Sequence, residues 1–186
     1  MEDNLIKSKY FKYLIDNAES IDKDRIEFND KIISLLDSKT DELGTVLKCH
    51  LIIEHYIDEY LANSYPTIKS WDKARLTFNH KLELINNPHT VVGMLYPGIK
   101  CINSLRNKFS HKLAFKIEKR DFKEISEIMT IWNNALGKPI PQGLRLIGEF
   151  TIWTCGNLNS MTQGIKKHSP NTGLSGYLEW LKEMNS

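Results

Sequence analysis

The fold is decided by residues 41–63, which read DELGTVLKCHLIIEHYIDEYLAN and form the most apolar long segment in the first half of the chain. Apolar side chains recur there at three- and four-residue spacing, the period of an α-helix with a buried face. They are Leu43, Val46, Leu47, Leu51, Ile52, Ile53, Tyr56, Ile57, Tyr60 and Leu61. Thr40 is a good N-cap, and Asp41 and Glu42 suit the positive end of a helix dipole. The pattern predicts a central core helix that is buried on two sides and ends before Pro66.

Helical spacing extends outward from this segment in both directions. Before it, we expect helices over about 3–18 and 24–37, the second turning inward the side chains Ile26, Ile32, Ile33, Leu35 and Leu36. After it, we expect helices over about 71–86, 97–113, 121–135, 143–166 and 174–184. Pro97 suits the first turn of the second of these. Period-two alternation is nowhere sustained, so the sequence predicts an all-α protein.

The stretch Gly137-Lys138-Pro139-Ile140-Pro141 is the strongest internal boundary signal, because glycine and proline together interrupt helices. It divides the chain into residues 1–136, expected to form a helical bundle, and residues 137–186. The second part is expected to be a C-terminal helical extension packed on the same domain. A length of 186 residues suits one such domain.

The composition excludes several classes of protein. The 25 basic and 23 acidic side chains give a net charge of +2, unlike a protein that coats nucleic acid non-specifically. Apolar runs are shorter than the roughly 20 residues of a membrane helix, and residues 1–4 do not resemble the start of a signal peptide. We therefore expect a cytoplasmic protein without membrane contact. The cysteines Cys49, Cys101 and Cys155 form no CxxC pair, so we expect reduced, mostly buried thiols and no metal site.

Polar residues gather in the stretch Arg106-Asn107-Lys108-Phe109-Ser110-His111. At about 100° per residue, four of the polar side chains share one arc of a helix: Asn103, Arg106, Asn107 and Ser110. The opposite stripe is apolar: Ile99, Ile102, Leu105, Phe109 and Leu113. Arg106 and His111 are about 140° apart around the axis, so one ideal helix does not bring them together. Long side chains, an unwound turn or a second copy of the helix would have to do so.

The surrounding residues 100–120 hold seven basic side chains against one acidic side chain, Glu118. A basic patch and an ordinary lysine-rich helix surface explain this charge equally well. Histidine can move a proton near neutral pH, and arginine can bind two oxygens of a phosphate. These groups suffice for attack of an RNA 2′-hydroxyl on its own phosphate without a metal. By spacing alone, a surface arginine and a histidine at a helix end are the more frequent explanation.

The stretch Arg106–His111 resembles the R-x4-6-H signature of the HEPN superfamily, in the form with asparagine directly after the arginine. The helices expected around residues 51–57 and 76–85 resemble the elements that precede the motif in these proteins. The resemblance covers about residues 40–135. It implies a HEPN-like helical bundle with additional C-terminal helices, and a homodimer along the motif helix in which two motifs face one cleft.

Many HEPN proteins are RNases that act without a metal or another cofactor, often as toxins or as phage-defence and stress effectors. The resemblance implies that Arg106 binds the scissile phosphate of an RNA substrate, that His111 is the general acid and base, and that Asn107 orients it. Supporting candidates are Glu54, Ser110, Asn103 and Lys108. An antitoxin or regulatory protein is an implied partner. Toxins paired with a nucleotidyltransferase usually have a tyrosine two residues after the histidine, and here Leu113 stands there.

Three alternatives remain at this stage. Some members of the superfamily only bind RNA or proteins, so a non-catalytic regulatory module would use the same bundle. A helical transcriptional regulator has less support, because no helix-turn-helix with a basic face stands out. His50 and Glu54, four residues apart, would share a proton or a metal. A satisfied pair in the core is favoured for them, because no third ligand has suitable spacing.

Overall fold

The computed structural model describes residues 13, 16–36, 41–87, 90–112 and 115–185. Within these ranges it contains helices and no strands, which confirms the all-α prediction. The helices are α1 (Ala18–Leu36), α2 (Glu42–Ser64), α3 (Phe78–Ile85), α4 (Val91–His111), α5 (Lys123–Ala135), α6 (Leu144–His168) and α7 (Gly173–Asn185). Two 3-10 turns, Asp72–Ala74 and Lys119–Phe122, precede α3 and α5. Most of the helix expected over residues 3–18 lies outside the described residues, as does Leu113.

The central helix of the fold is α2, as predicted. It packs most extensively along α6 and next on α4, while α1, α3 and α7 contact the rest of its surface. Its fully buried side chains include Val46, Ile53 and Ile57. Since α2 contacts five other helices, its apolar sides supply the middle of the core.

The N-terminus of α2 is capped by an aspartate. The carboxylate of Asp41 accepts a hydrogen bond from the Gly44 N–H at 2.7 Å, and the Asp41 backbone is extended. This satisfies one of the amides that a helix start leaves without a partner. The prediction of Thr40 as the N-cap is therefore wrong, because the cap falls one residue later.

The helix expected over residues 71–86 is interrupted. Arg75 adopts a left-handed conformation with φ of 47°, which ends the short 3-10 turn before it. Thr77 then caps α3: its hydroxyl accepts from the His80 N–H, and the His80 ring accepts from the Thr77 N–H. The reciprocal pair fixes the start of α3 at Phe78.

The motif helix α4 begins earlier than expected. The hydroxyl of Thr90 accepts a hydrogen bond from the Gly93 N–H at 3.1 Å, which starts the helix at Val91. Pro97 therefore lies inside α4 and not in its first turn, so this prediction is wrong. The helix tolerates the ring although proline removes one intrahelical hydrogen bond.

The inward-facing set expected for α1 is mostly wrong. Ile32 is fully buried and Leu36 packs partly against the core, whereas Ile26, Ile33 and Leu35 are exposed. The buried line instead follows the four-residue spacing from Phe28 through Ile32 to Leu36. Residues next to these three in the sequence point outward, because each step along an α-helix turns the side chain by about 100°.

Residues 137–186 complete the same core. The side chains of Ile147, Phe150 and Cys155 on α6 belong to the cluster of buried residues that surrounds α2. At one point α4 approaches α6 so closely that a Cβ at Gly98 would collide with the Phe150 ring. The C-terminal helices and the preceding bundle therefore share one hydrophobic core.

All three cysteines are free and buried, which confirms the prediction for their thiols. None of the helices in the described part of the chain has the length and apolar character needed to cross a membrane.

Candidate functional site

The motif occupies the end of α4, and the helix is regular to its last turn. The Lys112 N–H donates to the Lys108 carbonyl at 3.0 Å, so the turn that carries His111 is closed. Of the arrangements that would bring Arg106 beside His111, an unwound turn is therefore excluded. Both of these side chains are exposed. Their separation of about 140° around the axis persists, because His111 follows Arg106 by five positions in regular helix.

The guanidinium of Arg106 is held by its neighbour. Its Nη1 donates to Oδ1 of Asn107 at 3.1 Å, which uses one of the five N–H donors of an arginine. The Ser110 hydroxyl donates to the Arg106 carbonyl at 3.1 Å, a bond within the helix. In this structure Asn107 therefore orients the arginine, and its role toward His111 stays a prediction.

Lys108 lies on the far side of α4 from Arg106. Its Nζ forms an ion pair with Asp121, whose side chain is largely buried. Burial alone would raise the pKa of Asp121, but the Lys108 ammonium and the Glu118 backbone N–H lower it overall. The Arg120 guanidinium likewise lies 2.8 Å from the Glu118 carboxylate. The basic cluster of residues 100–120 is therefore partly neutralised by its neighbours.

Asn103 is buried between helices, so it is not exposed with the other residues of the polar arc. Its Nδ2 donates to Oδ1 of Asn79 on α3 at 2.9 Å. Its own Oδ1 lies 3.2 Å from Nε2 of His50 on α2. With only 8% of its surface exposed, Asn103 joins α2, α3 and α4. The structure thus places this supporting candidate in a contact between helices.

Glu54 is paired with a lysine from the neighbouring helix. Nζ of Lys81 lies 2.8 Å from the Glu54 carboxylate and 2.8 Å from that of Asp58. Burial opposes the charge of Lys81, but its bonds to the two carboxylates raise its pKa overall. From the sequence, Glu54 had two possible roles, a pair in the core or a part in the site. In the structure it forms the pair.

His50 lies at the centre of these polar contacts and is only 6% exposed. Its Nδ1 lies 3.9 Å from the Glu54 carboxylate. Burial lowers the pKa of His50, the positive charges of Arg106 and Lys81 act in the same direction, and Asn103 and Glu54 oppose them. The sequence predicted the pairing with Glu54 from its spacing. It contained no signal for the contact with Asn103, because that contact depends on how α2 packs on α4.

The helices α2 and α4 run antiparallel, and α3 covers only one end of the pair. His50 faces Asn103, whereas nearer the start of α2 the Glu42 carboxylate accepts the Ile117 N–H just beyond α4. The Phe78 ring of α3 packs 4.2 Å from the His50 ring, between centroids. Thus α3 crosses the pair at the level of His50 and leaves the other end without this cover.

The uncovered end presents apolar and polar groups side by side. On α2 a stripe with four-residue spacing is exposed: Leu43 at 40%, Leu47 at 37% and Leu51 at 63%. On α4, past Asn103, Arg106 and Ser110 are exposed and Asn107 is half-buried. We call the three leucines, Arg106, Asn107 and Ser110 the open face. The prediction that these leucines belong to the core is wrong, because all three are exposed.

The chain matches no protein-family model, no curated protein and no solved structure. Among the residues that the structure describes, no group of three or more His, Cys, Asp or Glu side chains is placed to hold a metal ion. A functional proposal therefore rests on the Arg106–His111 motif and on the geometry of the open face.

Proposed function

We propose that this chain is a HEPN-like endoribonuclease that cleaves RNA without a metal and acts as a homodimer. The observation that carries the proposal is the motif itself, with Arg106 and His111 both exposed at the end of one regular helix. The regularity matters because it keeps the two side chains on different sides of a single α4. A complete site then needs the arginine and the histidine of two chains.

In the proposed reaction the nucleophile belongs to the substrate. The RNA 2′-oxygen attacks the adjacent phosphorus, the bond to the 5′-oxygen breaks, and a 2′,3′-cyclic phosphate and a 5′-hydroxyl result. His111 takes the proton of the 2′-hydroxyl and returns a proton to the leaving oxygen. Arg106 binds the phosphate oxygens and stabilises the negative charge that develops on them. Asn107 supports this role because its bond to Arg106 fixes the guanidinium.

A second copy of the chain is the proposed occupant of the open face. Two antiparallel copies of α4 would bring Arg106 of one protomer toward His111 of the other, which one helix cannot do. The stripe of Leu43, Leu47 and Leu51 is exposed on α2, which packs against α4, and would be buried in the same contact. Burial of such apolar surface is the usual driving force for association of subunits. The supporting observation is the apolar stripe next to an incomplete polar site.

The cleavage assay uses purified protein, single-stranded RNA and excess EDTA. We expect the wild type to cleave, and Arg106→Ala and His111→Ala to lose at least about a hundredfold in rate, the usual contribution of a general acid or base. Matched controls are Arg145→Ala and His55→Ala, an exposed arginine on α6 and an exposed histidine on α2. These controls should cleave as the wild type does. Equal rates in all five proteins would contradict the proposed function.

The toxin or phage-defence role has its own test. An RNase that acts on cellular RNA should stop growth when it is expressed, and His111→Ala should remove that effect. A partner protein that acts as an antitoxin would restore growth beside the wild type. Growth arrest that persists in His111→Ala would separate toxicity from RNA cleavage.

A non-catalytic regulatory or RNA-binding module is the second candidate. It is favoured by the same fact that makes the dimer necessary, namely that Arg106 and His111 do not converge in one chain. This candidate predicts that RNA binds and stays intact, and that Arg106→Ala weakens binding. Gel shift of a labelled RNA, followed by analysis of its length, distinguishes binding from cleavage.

A further inference from the structure

A polar network with His50 and Asn103 buried at its centre lies next to the open face. It runs from Asn79 through Asn103 to His50, and from there to Glu54 and Lys81. Buried polar groups are stable only when they are hydrogen-bonded, so each member of the network restricts the next. The relative placement of α2, α3 and α4 therefore depends on the imidazole at its centre.

The hydrogen bonds define where His50 carries its proton. The amide nitrogen of Asn103 donates to Asn79, so the amide oxygen is the acceptor that faces Nε2 of His50. His50 must therefore carry a hydrogen on Nε2, and Nδ1 is bare in the uncharged ring. Nδ1 lies 3.9 Å from the Glu54 carboxylate, and a second proton would be added there.

We propose that His50 is a positioning residue for Arg106: through its Nε2–H it holds Asn103, and with it the turn of α4 that carries the arginine. Asn103 precedes Arg106 by three residues and so lies on the same face of the helix, one turn earlier. The inference rests on the proposed function only in treating Arg106 as the group that meets the phosphate. His50 itself does not touch the substrate.

A second proton on Nδ1 of His50 leaves the bond to Asn103 in place but adds a positive charge among the groups that surround the ring. Charged groups face the imidazole from all three helices: Glu54 on α2, Lys81 on α3 and Arg106 on α4. Lys81 and Arg106 repel an imidazolium, and Glu54, which attracts it, already binds Lys81 at 2.8 Å. Burial is the largest of the effects that lower the pKa of His50. Acid therefore acts on the turn of Arg106 through His50.

Two substitutions separate the hydrogen bond of His50 from its titration. His50→Gln places an amide N–H near the position of Nε2 and cannot take up a proton, whereas His50→Leu keeps most of the volume and removes the donor. His55→Gln is the matched control, an exposed histidine on the same helix. The readout is the NMR signal of the Arg106 Nε–H, identified by its absence from the spectrum of Arg106→Lys.

At neutral pH we expect this signal to be unchanged in His50→Gln and in the control, and displaced or broadened in His50→Leu. In the wild type it should move as His50 titrates, and in His50→Gln it should stay in place. An unchanged signal in folded His50→Leu, or the same movement with acid in His50→Gln, overturns the proposal. If His50→Leu does not fold, the acid titration of His50→Gln decides alone.

Cleavage assays distinguish this inference from the proposed function. With an active wild type, His50→Leu should lower kcat/KM by on the order of 10- to 100-fold, the effect of a displaced catalytic group. His50→Gln should restore most of the rate and remove the part of the acid limb that follows His50. A wild type that cleaves no RNA refutes the proposed function, and the Arg106 signal still decides whether His50 positions the arginine.

Discussion

The two ends of the α2–α4 pair differ in what covers them. Where α3 crosses, the polar groups bond to one another, His50 with Asn103 and Lys81 with Glu54. At the other end the leucines of the open face and Arg106 are exposed, and the guanidinium contacts only a neighbour on its own helix among the bonds described. On this side of α4, therefore, the polar residue that α3 covers is structural, and the polar residues that α3 leaves uncovered are available to a partner.

The largest effect on stability should come from the buried side of α2. Ile53 is fully buried, whereas Leu51, two residues earlier, is 63% exposed. Ile53→Ala should lower the free energy of unfolding by about 2–5 kcal/mol, because it removes buried methylenes and leaves a cavity. Leu51→Ala should change it by about 0.5 kcal/mol or less in dilute protein. Urea unfolding followed by circular dichroism measures both, and equal losses would show that the open face is part of the core.

The second largest effect should come from a charge in the leucine stripe, which should weaken the dimer. Leu47→Asp loses the burial of one apolar side chain per protomer and buries a carboxylate, which should raise the dimer dissociation constant by at least about tenfold. Ile131→Asp is the matched control, since Ile131 is 70% exposed on α5, away from the open face. Sedimentation equilibrium gives the constants. A wild type that stays monomeric at high concentration would remove the open face as a dimer interface.

Acid should destabilise the fold through histidines that are held uncharged. Burial lowers the pKa of His50 and of His168, with Lys167 adding to the effect on His168. As the pH falls through 6.5, the ordinary histidine value, the unfolded chain takes up protons that the folded chain does not. The free energy of unfolding therefore decreases below that pH, until the folded histidines also charge.

His50 and His168 should contribute separately to this loss of stability in acid. His50→Gln and His168→Gln should each flatten the decline in urea midpoint between about pH 7.5 and pH 5. His168 stacks on Trp180 at 3.8 Å between ring centroids, outside the network of His50, so His168→Gln should leave the Arg106 signal unchanged. A decline that is as steep in His50→Gln as in the wild type would show that His50 is not held uncharged.

Hydrophobic periodicity predicted the helices that have a broad buried side, and it failed where burial depends on a neighbour. The helices α2, α5, α6 and α7 follow their expected ranges closely, because core packing requires their pattern. The starts of α3 and α4 were missed, because Thr77 and Thr90 cap them through local hydrogen bonds. The exposed Leu43 and Leu47 have the spacing of core residues, and spacing alone does not show whether a neighbouring helix covers them.

The residues of the candidate site also divide into those whose position was predicted and those whose position was not. The sequence placed Arg106 and His111 on one helix and predicted their separation around its axis, since both follow from helix geometry. It grouped Asn103 with Arg106 on one polar arc, although the structure buries Asn103 against His50 and Asn79. Helix periodicity gives the direction of a side chain, but it does not show which neighbouring helix lies there.

Ser110 should show the smallest effect and provides the closest test of the open face. Its hydroxyl bonds to the Arg106 carbonyl in its own helix, and such a bond adds little to an exposed helix surface. Ser110→Ala should therefore change the free energy of unfolding by about 0.5 kcal/mol or less. Cleavage should stay within about threefold of the wild type, the equivalent of roughly 0.6 kcal/mol.

The matched variant for Ser110→Ala is Asn103→Ala, which removes an amide from the covered end of the same arc. It should lower the free energy of unfolding by about 1–3 kcal/mol, because it leaves the buried His50 ring with an unpaired donor. Urea unfolding and the RNA assay measure the two variants together. If Ser110→Ala lost cleavage while keeping its stability, its hydroxyl would contact the RNA, and Ser110 would join Arg106 and His111 in the functional part of α4.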